Sequence, residues 1–308
     1  MADRAGGERA SERGGRMMMM RKAMSAKASR ARVRRGVTVN NMAAGATVTT
    51  DAKALRTGPR VTPTKLPRIF VYDHCPFCVR VRLALGMKNI KHEVVFLAND
   101  DFDTPKALCG KKIAPILELP LDGAAEPMRM TESLDIIDLF ESNDAYGPTN
   151  VIKPATGRSD IKAWQKKTKD LLRLLHRPRY MKVALPEFQQ EDSRDYFVSS
   201  HPVPPFEKPE WKADDFGMER RWSAFDEAYA KTDELLPELN AALVELEDLI
   251  YCEEYCSEGG FSYDDIDLWA RLRSVTLVKG AQFGTKTTKY LENLSIAGDI
   301  PLYFTMAC

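Results

Sequence analysis

The sequence predicts an α/β domain followed by an all-α domain, and three observations carry that reading. At 308 residues the chain has the length of about two domains. From Pro67 to about residue 145, short apolar runs alternate with helical patterns, as in βαβ units whose sheet contains a parallel pair. Beyond Tyr146-Gly147-Pro148 the helical periodicity continues and no strand pattern returns. The composition, 44% hydrophobic and 29% charged, is that of a globular protein, and no run of roughly eighteen apolar residues offers a membrane span.

Residues 1–65 are a different kind of chain. They hold 15 Lys and Arg against 4 Asp and Glu, and the rest holds 30 against 40, so a net charge of +1 divides into +11 and −10. This stretch lacks aromatic residues, includes Met17-Met18-Met19-Met20, and is rich in Arg, Ala, Ser and Thr. That composition predicts a disordered organelle transit peptide, because a secretory signal needs a compact apolar core that four methionines do not supply. The alternative is a basic arm for nucleic acid or anionic lipid, disfavoured because the acidic body continues no basic surface.

The ordered part begins with a strand predicted at Arg68–Tyr72, which runs directly into Asp73-His74-Cys75-Pro76. Pro76 suits a first helical position, and Cys78, Val81 and Leu85 recur on one face, so a helix follows and ends near Met87–Asn89. A second strand covers His92–Leu97. Thr104-Pro105 has the N-cap and first-position chemistry of a short helix that stops at Gly110. Strands at Ile116–Leu119 and Met128–Met130, joined by a turn around Asp122-Gly123, precede a helix over Glu132–Glu141. In the second half, helices are predicted at about Arg158–His176, Arg221–Glu247, Tyr263–Lys279 and Thr285–Leu294. His201-Pro202-Val203-Pro204-Pro205 through Pro209 reads as a solvated surface loop without chemistry. The expected domains are therefore 1–65, 67–145 and 150–308.

Six cysteines in 308 residues are too few for a disulfide scaffold, so cysteine chemistry is expected to be catalytic or metal-related. The sharpest signal is Cys75-Pro76-Phe77-Cys78 at a strand-to-helix junction, which reads as a thioredoxin-like redox pair. Cys75 falls at the N-cap, where unpaired backbone N–H groups and the positive end of the helix dipole favour the thiolate. Cys78 lies one turn further in and lacks those amides, so Cys75 is expected to be the nucleophile and Cys78 the resolving thiol. The competing reading is half of a zinc site. It would need a second pair, and only Cys252 and Cys256 are close to each other, about 175 residues away. No metal is expected. His74 either tunes the nucleophile or is a hydrogen-bonded neighbour, and Cys109 and Cys308 carry no assigned role.

The segments Tyr72-Asp73-His74-Cys75-Pro76-Phe77-Cys78, Gly86-Met87-Lys88-Asn89-Ile90, Asn99-Asp100-Asp101, Ile113-Ala114-Pro115-Ile116-Leu117, Glu132-Ser133-Leu134-Asp135-Ile136, Ser262-Tyr263-Asp264-Asp265-Ile266 and Leu272-Arg273-Ser274-Val275-Thr276-Leu277-Val278 closely resemble the glutaredoxin 2 family. The resemblance runs from Pro67 to the C-terminus, apart from the proline-rich insertion. It implies a thioredoxin-like domain followed by a helical domain like that of glutathione transferases. It implies a cis-proline at Pro115, with the Ala114 backbone pairing with the cysteinyl part of glutathione. It also implies that Glu132 and Ser133 hold the γ-glutamyl group and that Lys112 receives the glycyl carboxylate, a role Lys111 could share unless both are solvated. Ser262 with Asp265 fits an N-capping box. Ala114 stands where family members carry valine, and Phe77 where tyrosine is more familiar.

The expected function is that of a glutathione-dependent thiol–disulfide oxidoreductase that reduces protein–glutathione mixed disulfides and protein disulfides, with glutathione as co-substrate. Two alternatives belong to other classes: a glutathione transferase acting on electrophiles, which would normally place Ser or Tyr at position 75, and a carrier of a glutathione-ligated iron–sulfur cluster. Expected partners are glutathione and glutathionylated or disulfide-containing proteins, with no nucleic acid, and the chain is expected to be a monomer. The basic cluster of Arg30, Arg32, Arg34 and Arg35, followed by an Ala/Thr/Val-rich stretch, favours plastid over mitochondrion.

Overall fold

The computed structural model describes residues 66–120 and 125–308. The expected leader and the turn at Asp122-Gly123 lie outside them. The described residues form a four-stranded sheet and ten α-helices.

The sheet is built from β1 (Arg68–Val71), β2 (Glu93–Phe96), β3 (Ile116–Leu119) and β4 (Met128–Thr131), in the order β2-β1-β3-β4. β1 pairs parallel with β2 and antiparallel with β3, which pairs antiparallel with β4. The inner strands β1 and β3 are the most apolar of the sheet, and Glu118 within β3 is held by Arg68 at 3.2 Å and Arg129 at 3.0 Å. Phe70 and its register partner Ile116 pack with Leu97 against Leu108 and Cys109 of α2 (Asp103–Cys109). α2 begins two residues earlier than the Thr104-Pro105 signal suggests, at Asp103 with Phe102 as its N-cap. Its first turn is satisfied from outside, by the Asp101 carboxylate accepting from the Thr104 N–H at 2.9 Å.

Between β1 and β2 runs α1 (Pro76–Met87), whose middle, from Val81 to Leu85, is buried on every side. It packs against α3 (Ser133–Glu141) and against two helices of the second half, α9 (Tyr263–Val275) and α10 (Thr285–Gly298). Gly86 makes the last contact possible. A Cβ there would lie 2.1 Å from the Gly298 carbonyl oxygen, so only glycine lets the two backbones meet.

The helical half also contains α4 (Ser159–Tyr180), α5 (Glu191–Ser200), α6 (Lys208–Trp211), α7 (Met218–Ala230) and α8 (Thr232–Leu249). The single helix expected over Arg221–Glu247 is two, α7 and α8, parted at Lys231. There the Thr232 hydroxyl donates to the Tyr229 carbonyl and accepts from Arg179, which is itself buried. The proline-rich segment is not a solvated loop. Val203 is buried beside Trp211 and Phe216 in an aromatic cluster with Tyr180, Phe188 and Phe197, and Trp211 donates its indole N–H to the Val198 carbonyl. The prolines end α5 and start α6, while the apolar residues between them build core. α9 begins at the expected capping box: Ser262 accepts from the Asp264 N–H, and the Asp265 carboxylate accepts from the Ser262 N–H. No helix among the described residues is long and apolar enough to cross a membrane.

The Gly86 contact makes a test of the packing between α1 and α10. Gly86→Ala should lower the unfolding free energy by about 1–3 kcal/mol, read as a lower thermal midpoint. An unchanged midpoint would mean that the two helices do not meet there.

Candidate active site

Cys75 is the N-cap of α1, with Pro76 at the first helical position and an extended backbone at φ −73°, ψ 119°. No side chain caps this helix, so its first-turn amides are left to the Cys75 thiol. The Cys78 thiol donates to Cys75, and that bond outweighs the burial that opposes ionisation. His74 and the N–H groups of Cys78 and Phe77 act the same way, bringing the Cys75 thiol down to about 6. Cys78 is 0% exposed. Burial pushes its thiol well above the ordinary value, and the hydrogen bond and charge of Cys75 push it further. One helix turn thus separates a thiol whose ionisation is favoured from one whose ionisation is opposed.

The loop before the nucleophile is fastened from the helical half, by contacts that no local sequence signal marks. The Asp73 carboxylate lies between Arg82, at 2.5 Å, and Arg273 of α9, at 3.0 Å, and accepts from the Tyr303 hydroxyl at 2.6 Å. Arg273 also donates to the Asp73 carbonyl at 2.7 Å. Burial would raise the Asp73 carboxyl, but Arg273 and Arg82 hold it at about 2. One residue later, the Glu187 carboxylate accepts from the His74 backbone N–H at 2.8 Å and pairs with its ring Nδ1 at 2.5 Å. Glu187 is 0% exposed and sits in the 3-10 turn Pro186–Phe188. The His74 ring completes the aromatic cluster, with centroids 4.9 Å from Tyr180 and 5.0 Å from Phe188. His74 is therefore a packed, hydrogen-bonded residue next to the nucleophile.

Cys75 opens onto a cleft of about 750 Å³ bounded by Phe77, Ala114 and Lys112 on one side and by α4 on the other. The Ala114–Pro115 peptide bond is cis, as the family resemblance implies. Lys112 is not a free surface charge: its ammonium donates to the Asn99 and Asp101 carbonyls and lies 4.3 Å and 4.2 Å from the Phe102 and Tyr196 rings. Two of its three protons are thereby used and one is left. Glu132 and Ser133 do not line this cleft. Glu132 sits at φ 71° between β4 and α3, Ser133 begins α3 with no side chain capping it, and Lys111 reaches Glu132 at 3.8 Å. The Tyr72 hydroxyl, beside the cleft, is buried without a hydrogen-bond partner. Cys252 and Cys256 are unpaired, and Cys256 is fully buried with its thiol raised chiefly by that burial.

The model of the glutaredoxin 2 C-terminal domain matches residues 217–307, and that of the glutathione S-transferase N-terminal domain matches residues 69–149. Glutaredoxin 2 of Escherichia coli strain K12 is 31% identical over 243 residues, which span 78% of this chain and 99% of that protein. The chain belongs to the glutaredoxin 2 family. The crystal structure of glutaredoxin 2 from Salmonella typhimurium in complex with glutathione, 30% identical, aligns with a TM-score of 0.65 over 80% of this chain and all of that one. As a glutaredoxin the chain is a glutathione-dependent oxidoreductase, with a thioredoxin-like domain followed by a helical one.

The Asp73 network has a measurable pH signature. Its carboxyl is depressed in the folded state, so the stability it contributes is present above the unfolded value of 3.8 and lost as pH falls through about 2. At pH 7, Asp73→Asn should cost about 3–5 kcal/mol, because it leaves buried guanidiniums unpaired. The gap between variant and wild type should narrow by about 2 kcal/mol between pH 4 and pH 2 in denaturant titrations. A gap independent of pH would show that Asp73 is not ionised in the folded protein.

Proposed function

We propose that this glutaredoxin acts on protein–glutathione mixed disulfides and protein disulfides, with Cys75 as nucleophile and Cys78 as resolving thiol. The observation that carries the assignment is the opposite displacement of the two thiols on one helix: Cys75 down to about 6, chiefly through the hydrogen bond from Cys78, and Cys78 up through burial. The Cys75 thiolate attacks the glutathionyl sulfur of the mixed disulfide. A Cys75–glutathione bond forms, and the protein sulfur leaves as a thiolate that takes a proton from water. A glutathione thiolate then attacks that adduct, releasing oxidised glutathione and restoring the Cys75 thiolate.

With a protein disulfide, Cys75 forms a mixed disulfide with the protein, and Cys78 attacks the Cys75 sulfur to release it. Both influences of Cys75 that raise the Cys78 thiol, the hydrogen bond and the charge, disappear once Cys75 is bonded, so Cys78 becomes easier to ionise at the step that needs it. Two glutathiones then reduce the Cys75–Cys78 disulfide.

Glutathione is placed in this reading with its cysteinyl backbone along Ala114 before cis-Pro115. Its γ-glutamyl carboxylate meets the uncapped start of α3 at Glu132 and Ser133, and its glycyl carboxylate meets the remaining Lys112 proton. The protein works as a monomer. Residues 1–65 direct it to an organelle, the plastid before the mitochondrion, a reading that rests on their charge and composition and is checked by imaging that segment fused to a fluorescent reporter.

Two variants test the thiol assignment. Cys75→Ser should abolish both deglutathionylation and disulfide reduction. Cys78→Ser should keep deglutathionylation, because glutathione itself resolves the adduct, and lose the dithiol reduction of protein disulfides. Substantial activity in Cys75→Ser, or a Cys78→Ser enzyme inactive towards glutathionylated substrate, would reverse the roles.

A further inference from the structure

The wall of the cleft opposite Cys75 carries a charge pattern that the glutathione site does not use. Along α4, Lys162, Lys166, Lys169, Arg173 and Arg177 follow one another at intervals of three or four residues, so they share one face, and all five line the cleft. Lys112 adds to them, as does Arg271 of α9, which is paired with Asp267 at 3.2 Å, and no Asp or Glu lines this space. The contrast with the rest of residues 66–308, which carry a net charge of −10, is sharp.

Like charges three or four apart on a helix each cost a few tenths of a kcal/mol unless something neutralises them. Elsewhere on this protein carboxylates do so: Lys167, on another face of α4, pairs with Glu245 at 2.7 Å, Arg158 with Asp160 at 2.7 Å, and Lys182 with Asp226 at 3.1 Å. In the stripe only Arg173 has such a partner, Asp170 at 3.2 Å, while Arg177 donates to the Pro202 carbonyl. Among the described residues no carboxylate lies within 4.0 Å of Lys162, Lys166 or Lys169, and all three are exposed. The two carboxylates of glutathione have other places in the reading above, at the start of α3 and at Lys112. The stripe therefore keeps unpaired positive charge facing the reacting sulfur, and a concave site lined by one sign of charge concentrates ligands of the other.

We propose that this stripe docks acidic residues flanking the disulfide cysteine of the protein substrate, so that the enzyme prefers glutathionylated segments rich in Asp and Glu. The substrate chain lies between Phe77, 49% exposed at the cleft edge, and α4, with its mixed disulfide at Cys75 and its carboxylates against Lys162, Lys166 and Lys169. The inference rests on the reading that glutathionylated proteins are substrates.

The test uses the full chain and two synthetic glutathionylated peptides that differ only in their flanks, one with four Glu and one with four Lys. With saturating glutathione at low ionic strength, kcat/KM for the acidic peptide should exceed that for the basic one by tenfold or more, and added salt should bring the ratio towards one. The triple variant Lys162→Glu, Lys166→Glu, Lys169→Glu should invert the preference. The milder Lys→Gln triple, which tests the same point if the first folds poorly, should abolish it. Equal rates for the two peptides in the wild type, or a ratio that the triple variants leave unchanged, would overturn the proposal. It would fall equally if the variants raised KM for glutathione and left the ratio alone, since the stripe would then serve the tripeptide. If neither peptide is turned over while the small mixed disulfide of glutathione and 2-mercaptoethanol is, the protein-substrate reading itself fails.

Discussion

A carboxylate buried two residues before the nucleophile is the constraint on which the rest of the site depends. Asp73 cannot remain ionised in the interior without compensation, and the compensation comes from both halves of the protein: Arg82 from α1, and Arg273 with Tyr303 from the helical half. Because Arg273 also holds the Asp73 carbonyl, and Glu187 holds both the backbone and the ring of His74, the chain leading to Cys75 is fixed in direction before the thiol is reached. The close approach of α1 to α10 at Gly86 belongs to the same arrangement. The redox helix is thus gripped at its N-terminus by ion pairs and near its C-terminus by backbone contact, and in both places the grip is the helical half's.

That grip explains how one short motif carries two thiols of unlike character. Cys75 sits where backbone N–H groups converge and where the Cys78 thiol donates to it, whereas Cys78 faces the interior and receives only the Tyr72 N–H at 3.4 Å. The difference is positional and needs no difference in residue type. It also depends on redox state, since a bonded Cys75 no longer raises Cys78. The basic wall of α4 stands across the cleft from this pair, so the same helical half that fixes the nucleophile also faces the incoming substrate.

Much of this was legible in the sequence where the cause is local. Pro76 after Cys75 sets the helix start, and Cys78 one turn on sets the pair, so strand, cap and the placing of both cysteines on one helix follow from seven consecutive residues. The order of strands and helices in the first half was likewise readable from alternating apolar runs, with boundaries displaced by a residue or two. Where the cause is distant the sequence was silent. Glu187 meets His74 across 113 positions, and Arg273 meets Asp73 across 200. Arg273 stood inside a segment that resembled the family without any hint of its partner. In the proline-rich stretch, proline content predicts the backbone path but not burial, which Trp211 and Phe216 decide. The division of one expected helix at Lys231 came from the buried Arg179 engaging Thr232, a tertiary contact that periodicity does not encode.

Whether the nucleophile's ionisation is set jointly by its own helix and by the helical half is decided at Glu187. This carboxylate touches neither cysteine through a hydrogen bond; its charge adds to the raising of the Cys78 thiol, and it holds His74, whose charge favours the Cys75 thiolate. The measurement is the pH dependence of Cys75 alkylation by iodoacetamide in Glu187→Gln, with circular dichroism confirming the fold. In a folded variant the midpoint should move upward from about 6 towards the ordinary thiol value of ~8.5, because the His74 ring beside Cys75 loses its carboxylate partner. A midpoint that stays at about 6 in a folded variant would contradict joint control, and would place the control of Cys75 within α1 alone.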